Sequence, residues 1–202
     1  MTPHTLNYET DERFAMIKQR HAQTFEKAIQ DGKADFGIIP LCRFLNAHTD
    51  FFTASSCAGR AILLNVDSAE TKQTASFLYK THAKADANAI WKKLHENTRN
   101  EVWFKQEPFI LHLGAQNLAN ANKLISCARK AGLKRGGIML AKPGKFILEL
   151  TGTTAMSAPV KHRGKILVAK EYLAFLVKRG NQKLAKNKEQ LARFEKELRE
   201  TL

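Results

Sequence analysis

The chain has 202 residues and a mass of 22.8 kDa, with 44% hydrophobic and 26% charged residues, a balance that excludes a disordered polymer and allows one compact unit. No apolar run reaches the ~18 residues of a membrane span, and the start MTPHTLNYETDERF has no signal-like apolar stretch, so a cytoplasmic protein without a membrane partner is expected. Against 19 Asp and Glu stand 33 Lys and Arg, giving +14 and a pI near 9.8, a surplus that suits a polyanion such as nucleic acid. Cys42, Cys57 and Cys127 are odd in number and far apart, with no C-x-x-C pair. That spacing argues against a disulfide framework or a zinc site and for a reducing compartment; no metal is expected.

In chain order, Phe14, Ile17, His21, Phe25 and Ala28/Ile29 recur at helical spacing and predict an amphipathic helix over 9–31, with residues 1–8 loosely ordered. A short helix follows across PLCRFLNAH, where Pro40 fits only a first turn. DFFTASS and RAILLNV read as strand, tight turn, strand, with CAG as the turn, and SFLYKTH as a third strand. ADANAIWKKLHENT reads as a helix, and VWFKQEPFILHLG as one strand or two, interrupted near Pro108. AQNLANANKLISCARKAG is a helix with Leu118, Ala121, Leu124/Ile125 and Ala128 along one face. GGIMLA and KFILELT form a hairpin around KPGK, and TTAMSAPVKHRGK reads as a loop. A long charged helix from about Ala169 closes the chain, its apolar stripe running from Leu173 to Leu198. The expected class is α/β, with α+β as its neighbour: a single domain over 1–202, with a mixed sheet, crossover helices and a long C-terminal helix.

Several site signatures are missing: no G-x-G-x-x-G after a strand, no G-x-x-x-x-G-K-[ST] loop and no H-E-x-x-H. Cys57 and Arg60 are only three apart, too close for the long anion-cradling loop of cysteine phosphatases. The segment TASSCAGR, Thr53 to Arg60, supports two readings. It is either an ordinary turn between strands, or a nest of hydroxyls and backbone N–H groups around Gly59 that holds an anion, with Arg60 as its charged fork. Cys57 is either a reactive thiol beside that arginine or a small buried hydrophobe. In FILHLG, alternation puts Phe109, Leu111 and Leu113 on one face, and Ile110 with His112 on the other. His112 and His82 each read as a sheet residue or a functional group, and Asp35 as a turn residue or a carboxylate for chemistry. Spacing alone does not join them.

Three blocks, FFTASSCAGRAILL, EPFILHLGAQNLANANKLISCARKAGLKRGGI and VAKEYLAFLVKRGNQKLAKNKEQLARFEKEL, resemble the wybutosine-synthesising methyltransferase family over roughly residues 10–200. The signature S/T-x-S-S-C-x-G-R is met in full by Thr53, Ser55, Ser56, Cys57, Gly59 and Arg60. The resemblance implies an S-adenosylmethionine-dependent enzyme that methylates N4 of a tricyclic wyosine precursor, the 7-aminocarboxypropyl-demethylwyosine of guanosine 37, in phenylalanine tRNA. It implies an α/β fold distinct from the Rossmann methyltransferases, in keeping with the missing glycine fingerprint. It also implies a centre with Asp35 and His112 as catalytic residues, and with the signature residues and His82 toward the cofactor. Two positions depart from the family: Gly136 where serine is frequent, and Phe77 where tryptophan is frequent.

Methyl transfer from a sulfonium is an in-line displacement, so alignment and exclusion of water are the main requirements. The proton on the acceptor nitrogen needs a base, Asp35 or His112, contributing typically ~10²–10⁴-fold. The signature turn is expected to grip the methionine carboxylate of the cofactor or an anionic group of the substrate. The basic surplus is expected to steer the tRNA anticodon arm. From a different class comes a non-catalytic RNA-binding protein that grips phosphate with TASSCAGR, and from a third a thiol enzyme using Cys57.

Overall fold

A computed structural model describes residues 3–67 and 74–202 in backbone, and side chains from 11 onward within the first of these ranges. Residues 3–8, expected to be loosely ordered, are helical in backbone, and residues 1–2 lie outside the described residues. The chain forms two compact units that it visits alternately: unit 1 is Met1–Ala58, Phe109–Gly152 and Gln190–Leu202, and unit 2 is Gly59–Pro108 and Thr153–Glu189.

Unit 1 begins with α1 (Pro3–Gln30), α2 (Ile39–Ala47) and β1 (Phe51–Cys57). Pro40 occupies the first turn of α2, where its missing N–H costs nothing. The chain then enters unit 2 with β2 (Arg60–Val66), β3 (Ser76–Thr81), α3 (Ala87–Leu94) and β4 (Glu101–Glu107). Asp86 caps α3 by accepting from the Asn88 N–H. Pro108 ends β4, and unit 1 resumes with β5 (Ile110–Ala115), α4 (Leu118–Lys130), β6 (Arg135–Lys142) and β7 (Lys145–Thr151). Unit 2 is completed by β8 (Met156–His162) and β9 (Lys165–Ile166). The closing helix α5 (Lys170–Thr201) places residues up to Glu189 in unit 2 and the remainder in unit 1.

Helices are interspersed among runs of strands, within the expected α/β class and its α+β neighbour, and the long closing helix is present. The sheet differs from the expected mixed one. Unit 1 has a four-stranded sheet of order β1-β5-β7-β6 and unit 2 a five-stranded sheet of order β3-β2-β4-β8-β9, and every pairing among the described residues is antiparallel. A doubly wound Rossmann sheet needs parallel neighbours, so the topology is not of that kind.

Two local expectations are corrected. CAG is not a hairpin turn, because β1 pairs with β5 while β2 pairs with β3 and β4. TTAMSAPVKHRGK is not a loop: it contains β8, paired along β4, and the start of β9. Pro159 is tolerated in β8 because it stands opposite Trp103, beside the register shift between Val102 and Trp103 where the ladder is broken.

Each unit buries its own apolar cluster. In unit 1, Leu41 and Leu45 from α2, Leu111 and Leu113 from β5, Leu124 from α4 and Phe194 from α5 pack together. In unit 2, Leu63, Ile90, Phe104, Val160, Leu173 and Val177 do the same. Each unit also has a lysine that closes a short helix. Lys18 Nζ donates to the carbonyls of Asn46, His48 and Phe51 at 2.5, 2.8 and 2.6 Å, just after α2. Lys161 Nζ, on a residue only 4% exposed, donates to Leu94 O and Glu96 O, both at 2.7 Å, at the end of α3. No helix among the described residues is long and apolar enough to cross a membrane.

Candidate active site

The signature segment straddles the chain's passage from unit 1 to unit 2. Thr53, Ser55, Ser56 and Cys57 lie on β1, and Gly59 and Arg60 open the second unit. The ladder between β1 and β5 slips inside the signature: Thr53 pairs with Leu113 and Ser56 with Leu111. Ala54 and Ser55 therefore share one partner position, His112. A bulge of this kind re-aims side chains and breaks regular pairing.

The residues of β1 divide the work. Thr53 is 1% exposed, and its N–H and Oγ1 both donate to Asn46 Oδ1, at 2.7 and 3.2 Å. It anchors the strand to α2 and does not face an incoming molecule. Ser55 is exposed, Cys57 is half-buried, and Ser56 Oγ is buried with no well-formed hydrogen bond among the described residues. Behind them, burial pushes the Cys42 thiol up to about 11, with the hydroxyls of Thr53 and Ser56 drawing it back and Asp35 adding to the rise.

Asp35 reaches the same segment from the turn before α2. One carboxylate oxygen accepts from the Gly37 N–H at 3.0 Å and the other from the Ala58 N–H at 2.7 Å. Asp35 thus holds the backbone at the end of the signature, a role that local sequence does not reveal because its partner is 23 residues away.

His112 Nε2 lies 2.8 Å from Glu149 Oε2, directly across β5 and β7. An ionised Glu149 keeps the ring proton on Nε2, so the lone pair is on Nδ1. This is the relation of a base to the group that orients it. Glu149 is the one charged residue within the run FILEL, the only local signal of its role. Gly136, one of the departures, now has a physical reason: at φ +128 a Cβ would stand 2.1 Å from Glu149 O, so a side chain cannot be carried with this backbone.

In unit 2, Gly59 adopts φ +93, and its carbonyl accepts from His82 Nδ1 at 3.1 Å. Arg60 Nε donates to Glu107 Oε2 at 2.6 Å, across the β2–β4 pair, and the guanidinium stands 5.1 Å from the centroid of Phe77. The sequence casts Arg60 as a charged fork for an anion. The structure makes it half of a partly exposed Arg–Glu pair, supported by a cation–π contact. Glu107 ends an alternating strand, and only the pairing register exposes its role.

The model of the methyltransferase TYW3 family matches residues 12–200. The chain belongs to that family. It is 36% identical over 191 residues to a human protein named tRNA wybutosine-synthesizing protein 3 homolog, covering 91% of this chain and 72% of that one. To a Pyrococcus horikoshii protein named tRNA(Phe) 7-((3-amino-3-carboxypropyl)-4-demethylwyosine(37)-N(4))-methyltransferase 1 it is 30% identical over 187 residues, covering 93% of this chain and 95% of that one. A solved structure of a Pyrococcus horikoshii protein superposes with a TM-score of 0.86 at 31% identity, covering 92% of this chain and 96% of that chain. Membership of the TYW3 family makes this protein an enzyme that transfers methyl groups.

The donor set fits an amino-acid-bearing methyl donor such as S-adenosylmethionine. Arg60 and Glu107, both in unit 2, are a cation and an anion matched to a zwitterion.

Proposed function

We propose that this chain, acting as a single methyltransferase domain over 1–202 in the cytoplasm, methylates N4 of 7-aminocarboxypropyl-demethylwyosine at position 37 of phenylalanine tRNA, using S-adenosylmethionine. The names of its relatives and the basic surplus of +14 support the substrate. One structural observation carries the reaction type: the bulge in the signature strand stands opposite a histidine already paired with a carboxylate.

When bound, S-adenosylmethionine supplies an electrophilic methyl group on its sulfonium. In unit 2, Arg60 with Glu107 would hold its amino-acid end, and His82 fixes the Gly59 carbonyl next to Arg60. Asp35 keeps the Ala58 N–H, and with it the end of the signature, in one position. His112 Nδ1 takes the proton leaving the acceptor nitrogen, and Glu149 stabilises the imidazolium that results. Cys57 forms no covalent bond. The protein needs no metal in this reading, and the anticodon arm of the tRNA is the part presented to it.

The test is incubation of the purified protein with phenylalanine tRNA carrying the demethylated tricycle, with and without S-adenosylmethionine, followed by nucleoside mass analysis. One added methyl that requires the cofactor, retained in Cys57→Ser, is the expected result. Loss of product in Cys57→Ser alone would point to thiol chemistry. Tight tRNA binding with no methyl on a verified substrate would reduce the chain to an RNA-binding module.

A further inference from the structure

Within unit 2, α5 has a charge pattern unlike the rest of its length. From Tyr172 to Lys188 it contains Lys178, Arg179, Lys183, Lys186 and Lys188 and no Asp or Glu. Further along, the cations are neutralised within the helix: Arg199 pairs with Glu195 at 2.7 Å and Lys196 with Glu200 at 3.7 Å. Among the described residues, no carboxylate pairs with Arg179, Lys183 or Lys186.

The spacing 172, 175, 179, 183, 186 follows the i, i+3, i+4 rows of a helix and forms one stripe. The buried face of this part of the helix is a different one, carrying Leu173, Leu176, Val177, Gly180 and Leu184. Tyr172 and Phe175 are 51% and 55% exposed, with rings stacked at 6.3 Å and 25°. Beyond them, Arg179, Lys183 and Lys186 line a cleft of about 510 Å³ with Thr154, Gln182 and Glu189. Arg179 Nη1 donates to Gln182 Oε1 at 2.9 Å, and Thr154 Oγ1 donates to Lys183 O at 3.4 Å, so the cleft wall is tied to the helix.

We infer that this stripe of α5 is a track for an RNA strand, with unpaired bases stacking on Tyr172 and Phe175 and successive phosphates passing Arg179, Lys183 and Lys186. The inference rests on the reading of the chain as a tRNA-modifying enzyme and says which surface holds the RNA. Exposed aromatic rings beside unneutralised cations are the two components of single-strand recognition, stacking and backbone attraction. With a rise of about 1.5 Å per residue, the three cations follow one another every ~4.5–6 Å, a ladder along one direction. A protein partner for this stripe would have to be acidic as well as apolar.

The experiment measures binding of an unmodified phenylalanine tRNA transcript by fluorescence anisotropy across a KCl series. The proteins compared are the wild type, R179Q/K183Q/K186Q, Y172A/F175A, and a charge-matched control in unit 1, K123Q/K130Q/K134Q. The charge variant is expected to bind at least tenfold more weakly at low salt, with a log–log salt slope shallower by about two to three. The aromatic variant is expected to lose about tenfold with its slope unchanged, and the control to stay within about threefold of wild type. Both α5 variants matching the control, while the wild type binds tRNA, would overturn the track and leave the enzymatic reading standing. A wild type that binds no tRNA would overturn both. All substituted side chains point away from the apolar cluster, and circular dichroism verifies that α5 persists.

Discussion

At the scale of single residues, the proposed chemistry rests on side chains already constrained by a partner. His112 is oriented by Glu149, Asp35 spends both carboxylate oxygens on backbone N–H groups, and Arg60 is held by Glu107. If His112 is the base, His112→Gln lowers kcat by about 10²–10⁴-fold. Glu149→Gln, which keeps the shape and removes the charge, lowers it less, by about tenfold, in the same single-turnover assay. Equal rates for His112→Gln and wild type would return the proton to Asp35. Cys42 makes a separate prediction about stability. Its folded thiol titrates near 11 instead of the ordinary 9.0, so between these values the unfolded chain has lost a proton that the fold retains. Stability is therefore full below pH 9 and falls as pH rises toward 11, by up to about 2–3 kcal/mol. Urea titrations at pH 8 and pH 10.5 check this, and Cys42→Ala flattens the difference.

At the scale of elements, alternation and helical spacing were legible wherever the determinant was local. FILHLG buries Phe109, Leu111 and Leu113 as its alternation requires, and the α5 stripe from Leu173 to Leu198 is buried. Pairing was not legible, because the register of β1 against β5, or of β8 against β4, is chosen by distant partners and by bulges. The lysine at the end of α3 belongs to the same class of long-range feature. Lys161 reaches Leu94 O and Glu96 O from 67 and 65 residues away. Lys161→Met preserves the volume and removes two charge-assisted bonds to helix-end carbonyls. A loss of about 1–3 kcal/mol is expected, read as a lower denaturant midpoint with unchanged slope.

At the scale of the whole molecule, the +14 charge is the property that composition makes plainest. It predicts that tRNA affinity falls steeply between about 50 and 200 mM salt, by several orders of magnitude if six or more phosphates are engaged. S-adenosylmethionine carries no phosphate, so its affinity, measured by calorimetry over the same range, changes far less. Parallel loss of both affinities would mean that salt acts on the fold and not on an RNA surface. Charge does not say where the polyanion lies, because most lysines are spread over exposed positions in both units.

The sequence by itself determined the α/β class, most element positions, the anion-seeking character and, through the intact signature Thr53–Arg60, the family to which the chain belongs. These are local or compositional quantities, recorded in periodicity, net charge and contiguous residues. Tertiary structure alone decided the antiparallel division into two sheets, the tie from Asp35 to Ala58 and the partners of His112 and Arg60. Those partners lie 23, 37 and 47 residues apart, and only strand register and turn geometry bring such groups within hydrogen-bonding distance.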